Sequence, residues 1–165
     1  MNTIIIFSSK YGCTTDCAQY LKSGLSGSTT LINIDNTKSI PLENYDTVIL
    51  GSSIYIGRVS NRMRMFCKDN MDFLSKKRVG IFLCCGFPEQ VKEYLDANFP
   101  AELLESAIVI KGFGGEARLE KMKFVDKTIM KTVTKGNYEA LKISNEDMDS
   151  FIKNMNMNAM LQETR

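Results

Sequence analysis

The chain is predicted to adopt an α/β fold, a five-stranded all-parallel sheet with helices on both faces. Three observations carry this. Apolar runs recur at residues 3–8, 31–34, 47–52, 78–85 and 107–112, and most are continuous rather than alternating, as in strands covered on both sides. Between them, 13–25, 59–74 and 88–98 hold apolar residues at helical spacing, and 146–157 forms a last helix before a polar tail at about 156–165. The alternation of strand and helix along the chain is that of a doubly wound sheet.

Each element has a local reason. The run Thr3-Ile4-Ile5-Ile6-Phe7-Ser8 ends in small hydroxyl residues, and Cys13-Thr14-Thr15-Asp16 opens the first helix. The second strand is short, and 35–44 is polar and turn-like, so this crossover holds a short helix or none. The strand at 47–52 leads into Gly51-Ser52-Ser53-Ile54-Tyr55-Ile56-Gly57-Arg58, and the strand at 78–85 into Cys84-Cys85-Gly86-Phe87-Pro88-Glu89. One segment is extra to a five-strand winding. Residues 119–135 place Met122, Val125, Ile129 and Val133 on one helical face and Lys123, Lys127 and Lys131 on another.

Composition narrows the function. The 165 residues fit one domain spanning 1–165, with no Gly/Ser or Pro linker dividing them. No apolar run approaches the roughly 20 residues of a membrane span, and the N-terminus lacks the features of a signal peptide, so a cytoplasmic protein is expected. Five cysteines outside a secreted context point to reduced thiols. The absence of histidine removes His-based nucleophile activation, His acid–base chemistry and the usual zinc or iron ligand sets. A net charge of +2 gives no argument for a nucleic-acid partner.

The turn between the first strand and helix has the makings of an anion pocket. A helix N-terminus presents unpaired N–H groups and the positive end of its dipole. Ser8, Ser9, Thr14 and Thr15 add hydroxyls, Gly12 lets the backbone curl closely, and Lys10 is the one charged side chain before Asp16. An ordinary capped turn is the competing reading. Ligands of doubly wound sheets sit at the carboxyl ends of the strands beside the switch point, here the loops after strands one, three and four. The last two each bring an aromatic residue, Tyr55 and Phe87. Stacking contacts contribute about 0.5–1.5 kcal/mol beyond burial, so the three loops suit a flat ring on a phosphorylated tail, the shape of flavin mononucleotide (FMN). No G-x-x-x-x-G-K-[ST] occurs and no G-x-G-x-x-G follows the first strand, which removes the common nucleotide loops.

The stretch Ile5-Ile6-Phe7-Ser8-Ser9-Lys10-Tyr11-Gly12-Cys13-Thr14-Thr15-Asp16-Cys17-Ala18-Gln19-Tyr20-Leu21 resembles the N-terminal signature of the flavodoxin family at every constrained position. The resemblance implies a three-layer sandwich with strand order 2-1-3-4-5 and FMN as cofactor. By position, it implies that Ser9, Lys10, Tyr11, Gly12, Cys13 and Thr14 bind the FMN phosphate. Ser53, Ile54, Tyr55 and Gly57 would line one side of the ring, and Cys85, Gly86 and Phe87 the other. The near-neutral charge and the Gly86-Phe87 loop set the chain apart from small acidic carriers. Residues 44–57, the run Gly112-Phe113-Gly114-Gly115-Glu116-Ala117-Arg118 and the helix after it are similar to the quinone-dependent protoporphyrinogen dehydrogenase branch.

That branch implies a quinone or porphyrin substrate, with the basic face of 119–135 meeting an anionic substrate or a membrane surface; a solvated helix face is the alternative. A second reading is a non-enzymatic carrier that docks a redox partner protein, and a third is a flavin-free regulatory domain. With Glu89 as the one carboxylate in the predicted ring loops, the flavin is expected to have a less negative potential than in acidic flavodoxins. Catalytic side chains are not assigned, because the flavin does the chemistry. Cys13 sits where a helix N-terminus stabilises a thiolate, but Cys13-x-x-x-Cys17 lacks further ligands at metal spacing, so no metal is expected.

Overall fold

The computed structural model describes the backbone of residues 1–163 and the side chains of residues 1–159. Strands β1 (Asn2–Ser8), β2 (Ser28–Asn33), β3 (Thr47–Ser53), β4 (Arg78–Cys84) and β5 (Val109–Gly112) form one sheet in the order β2-β1-β3-β4-β5. Every pairing is parallel. The helices are α1 (Cys13–Gly24), α2 (Asn61–Asp69), α3 (Met71–Leu74), α4 (Val91–Asn98), α5 (Ala101–Ser106), α6 (Phe124–Val133) and α7 (Asn145–Glu163).

Strand side chains alternate between two cores, because successive residues of a strand point to opposite faces. Ile4, Ile6, Val48, Leu50, Ile81 and Leu83 meet Met63 and Cys67 of α2, Leu74 of α3, Leu95 of α4 and Leu103 of α5. On the other face Ile5, Phe7, Ile49 and Phe82 meet Cys17, Ala18 and Leu21 of α1 and Phe151 and Met155 of α7. The expected three-layer architecture follows. Gly51 on β3 lies opposite Phe82 on β4, whose ring occupies the space a β-carbon would take.

Several boundaries differ from the pattern-based expectation. The edge strand β2 starts earlier, at Ser28, because β-branched Thr29 and Thr30 suit an extended strand at the edge of the sheet. Ile34 leaves it to enter a 3-10 turn at Ile34–Asn36, and a second turn at Leu42–Asn44 completes the crossover. The predicted helix at 59–74 breaks at Asn70, whose side-chain amide donates to the Phe66 carbonyl at 2.9 Å. The strand predicted from 107 begins at Val109. The short helix α5 before it was invisible to periodicity because it buries Leu103 alone.

The polar tail expected from about 156 is helical instead as far as 163. Asn156 accepts from the Ser26 amide at 3.0 Å and donates to the Gly24 carbonyl at 3.1 Å, which fastens α7 to the end of α1. Residues 164–165 of that predicted tail lie outside the described residues. Among the described residues no helix is long and apolar enough to cross a membrane.

Candidate functional site

At the carboxyl edge of the sheet a cavity of about 330 Å³ opens between the loops after β1, β3 and β4 and is covered by α6. Its walls include Ser9, Lys10, Tyr11, Cys13 and Thr14 from the first loop, Ser53, Ile54, Tyr55 and Gly57 from the second, and Cys85, Gly86 and Phe87 from the third. The structure thus brings together twelve of the thirteen residues proposed from the sequence. Gly12 is the exception: it makes the bend instead of a wall, at φ +93°, a left-handed conformation that glycine adopts without strain.

The first loop is built to receive an anion. Ser8 turns away and donates to the Asp35 carboxylate at 2.9 Å, anchoring the end of β1. Ser9 Oγ accepts from the amides of Gly12 at 3.2 Å and Thr15 at 3.3 Å, which leaves its own proton free to be donated. Thr14 is fully buried and its hydroxyl has no partner. A buried hydroxyl without a partner costs about 1–3 kcal/mol, and among the described residues Thr14 is the one carrying such a hydroxyl that also lines this cavity. Around the same bend, a β-carbon on Gly12 would meet Arg118 Nη1 at 2.9 Å and Lys121 Nζ at 3.8 Å. Two cations from the segment after β5 therefore stand over the turn, which the sequence order gave no means of placing there.

The second loop is a tight turn closed by Tyr55 N–H to the Arg58 carbonyl at 2.9 Å and Arg58 N–H to the Tyr55 carbonyl at 3.1 Å. Both of its central residues, Ile56 and Gly57, have positive φ, and a β-branched residue there is strained by about 1–3 kcal/mol. The turn is held from below by buried Asn98, which donates to the Gly57 carbonyl at 3.1 Å and accepts from the Val59 amide at 3.0 Å. The third loop passes close to the segment after β5: a β-carbon on Gly115 would lie 2.8 Å from the Gly86 amide nitrogen. Leu141 in turn occupies the space beside Gly86.

Asp126 is the group whose role the sequence did not reveal. Though on the outer helix α6, it is buried and accepts hydrogen bonds from Tyr11 and, at 2.5 Å, from Tyr55, while Lys10 Nζ lies 2.8 Å away. Lys10 also sits 3.4 Å over the Tyr55 ring. The Lys10 bond first, then those of the two tyrosines, hold the Asp126 carboxyl far below the usual carboxylate range. One carboxylate thereby ties α6 to the first two loops. The apolar face expected for this helix is corrected by that contact. Met122, Ile129, Met130 and Val133 line the cavity, whereas Val125, assigned to the same face, points outward beside exposed Phe124.

The sign of the pH dependence follows. A carboxyl with a lowered folded-state pKa contributes stability above its unfolded value of about 3.9 and loses it as pH falls through the folded value. The tie therefore holds throughout the neutral range and is released only in strong acid. In Asp126→Asn, amide exchange in α6 at neutral pH is expected to quicken by about tenfold or more, as loss of a hydrogen bond to a charged group implies, with the strands unchanged. Hydrogen-exchange mass spectrometry reads this directly, and unaltered exchange would remove Asp126 as the tie.

Comparison with known proteins agrees with this architecture. The family model described as "Flavodoxin domain" matches residues 4–142. The fold is similar to that of a flavodoxin from Streptococcus pneumoniae TIGR4 at 14% identity, with 94% of this chain and 97% of that one covered and a TM-score of 0.59. It is also similar to the Flv1 flavodiiron core of Synechocystis sp. PCC6803 at 14% identity and a TM-score of 0.55, where all of this chain covers 37% of the larger protein. A third is a flavoprotein in complex with FMN from Lactobacillus acidophilus, at 14% identity, coverage of 67% and 92% and a TM-score of 0.53. No curated protein sequence matches. With the strand order, the phosphate-type loop and the family match together, the chain belongs to the flavodoxin domain family.

Proposed function

We propose that the protein binds FMN without covalent attachment and transfers electrons through it. The observation that carries this reading is the cavity walled by the loops after β1, β3 and β4 at the start of α1, beside which the Thr14 hydroxyl is buried and, among the described residues, unpartnered. The residues fit the group: the hydroxyls of Ser9 and Thr14 and the amides of Cys13 and Thr14 would supply donors to a phosphate, and Lys121, with the ion-paired Lys10 and Arg118, stands near the same bend. Ser53, Ile54, Tyr55 and Gly57 on one side and Cys85, Gly86 and Phe87 on the other would hold the ring. When bound, FMN supplies one- and two-electron redox chemistry; the chain supplies orientation, exclusion of water and the local field.

The flavin bands of the purified protein, or of the protein titrated with FMN, test this assignment. Uptake of one equivalent is expected, and a colourless protein that takes up none would favour a flavin-free regulatory domain.

The finer reading is a dehydrogenase of the quinone-dependent protoporphyrinogen type. It is supported by the apolar wall that Met122, Ile129, Met130 and Leu141 add over the cavity, a surface suited to a flat apolar substrate. Exposed Phe124 and Val125, with Lys123, Lys127 and Lys131, support peripheral contact of α6 with an anionic membrane surface near such a substrate. The alternative of a carrier that docks a redox partner protein is favoured by exposed Ile56 next to Tyr55 at the edge of the cavity. Anaerobic turnover with protoporphyrinogen and menaquinone, set against one-electron reduction by a flavodoxin reductase, distinguishes the two.

Charge in the cavity bears on the potential. Asp126 and Glu116 line it, yet each is paired, Asp126 with Lys10 at 2.8 Å and Glu116 with Arg118 at 2.8 Å. Repulsion of a negatively charged reduced flavin is thereby weakened. The potential is expected to be less negative than in strongly acidic flavodoxins, and spectroelectrochemical titration giving an equally low value would contradict it.

A further inference from the structure

We propose that Cys13, Cys17 and Cys84 form a three-thiolate site for a thiophilic closed-shell cation of the Zn2+ or Cu(I) class, beneath the first loop. Residues four apart on α1 lie on one helical face, and here that face meets the end of β4. The three sulfurs lie within 4.8 Å of one another, and those of Cys17 and Cys84 are 3.6 Å apart. Tetrahedral zinc with bonds of about 2.3 Å places its sulfurs about 3.8 Å apart, whereas a disulfide needs about 2.05 Å. The Cys17–Cys84 spacing is close to that of a chelate, and all three sulfurs are within the reach of one ion.

Among the described residues this is the one group of three cysteine, aspartate or glutamate side chains close enough to share an ion. Cys13 and Cys17 stand one helical turn apart in the sequence, and Cys84, sixty-seven positions from Cys17, supplies the third ligand. Cys67 is the contrast in position: it stands in the opposite core, away from the three sulfurs. Cys13 and Cys84 both line the cavity, which gives an ion a way in, and Cys17 lies behind them. Binding forms three metal–sulfur bonds and releases the protons of those thiols that are not already ionised.

Cys13 and Cys84 also line the cavity proposed for FMN, so the test uses the full chain both with any flavin it carries and after the flavin is removed. The reduced protein is stripped of metal, titrated anaerobically with Zn2+ against a chromophoric chelator, and titrated with Cd2+ while thiolate-to-metal charge-transfer absorption is followed. One equivalent is expected, with proton release. Cys17→Ser and Cys84→Ser should each weaken it more than about a hundredfold, since even groups that only orient a ligand change metal affinity by roughly 10–100-fold. Cys67→Ser should leave it unchanged. X-ray absorption at the zinc edge of the unmodified protein counts the sulfur ligands without relying on any variant, and three are expected. The proposal is overturned by no binding, by binding that survives Cys17→Ser, by fewer than three sulfur ligands, or by a Cys17–Cys84 disulfide that persists in the protein and leaves only Cys13 to bind.

Discussion

Replacing Thr14 by valine is expected to weaken FMN binding by roughly tenfold to a hundredfold, the equivalent of about 1.5–3 kcal/mol for a hydrogen bond to a charged group. The same change should leave the ligand-free protein as stable as before, or more stable. Valine keeps the shape of threonine, and the hydroxyl it removes is buried with no partner among the described residues. Lys10, Tyr11 and Tyr55 are each bonded to Asp126, so their loss would lower affinity and stability together. Thr14 separates the two. Fluorescence quenching of FMN gives the affinity, and urea denaturation of the ligand-free protein gives the stability. An unchanged affinity would remove Thr14 from the phosphate site, and a marked loss of stability would mean that its hydroxyl is satisfied after all.

Gly51→Ala is expected to cost about 3 kcal/mol of folding stability, the upper part of the range for overpacking a close-packed core. Its β-carbon would lie 2.1 Å from Cζ of Phe82 and 2.3 Å from Cε1. The ring has no route of retreat. It is stacked on Phe113 with centroids 4.9 Å apart and set edge-on to Phe151 at 6.3 Å, and Phe113 and Phe151 themselves meet at 5.5 Å. With denaturant slopes of about 1–3 kcal/mol per molar urea, the midpoint should fall by about 1 M or more. Adding Phe82→Leu to the alanine variant should recover part of the loss, because the clash and the ring are coupled. If Gly51→Ala alone proves neutral, the close approach of β3 to this ring is not what demands glycine there.

The sheet was legible because its strands are continuous apolar runs, and its order is borne out by the pairings of β1 with both β2 and β3. The first loop was legible for a related reason. A strand end, a glycine bend and a helix N-terminus are adjacent in sequence, so local chemistry suffices to identify them. What stayed hidden depends on contacts between distant residues. Asp126 reads in the sequence as one charge among the lysines of an outer helix, yet the fold buries it against Tyr11 and Tyr55. Arg118 and Lys121 lie in a loop without periodicity, and only the packing of that loop over Gly12 turns them toward the first helix. Val125 was misplaced because the spacing of apolar residues gives the width of a face and not its orientation around the helix axis.

The Asp126 contacts join residues 115 and 71 positions apart along the chain. Contacts so remote repay their loop-closure entropy last, after neighbouring strands and helices have met. The cover of the cavity is therefore expected to be completed late in folding and to be among the first structures lost when the molecule opens. Interactions formed after the transition state slow unfolding and leave the folding rate nearly untouched. A ligand that bridges the first two loops and α6 will lengthen the lifetime of the native state while the speed at which the chain reaches it stays the same.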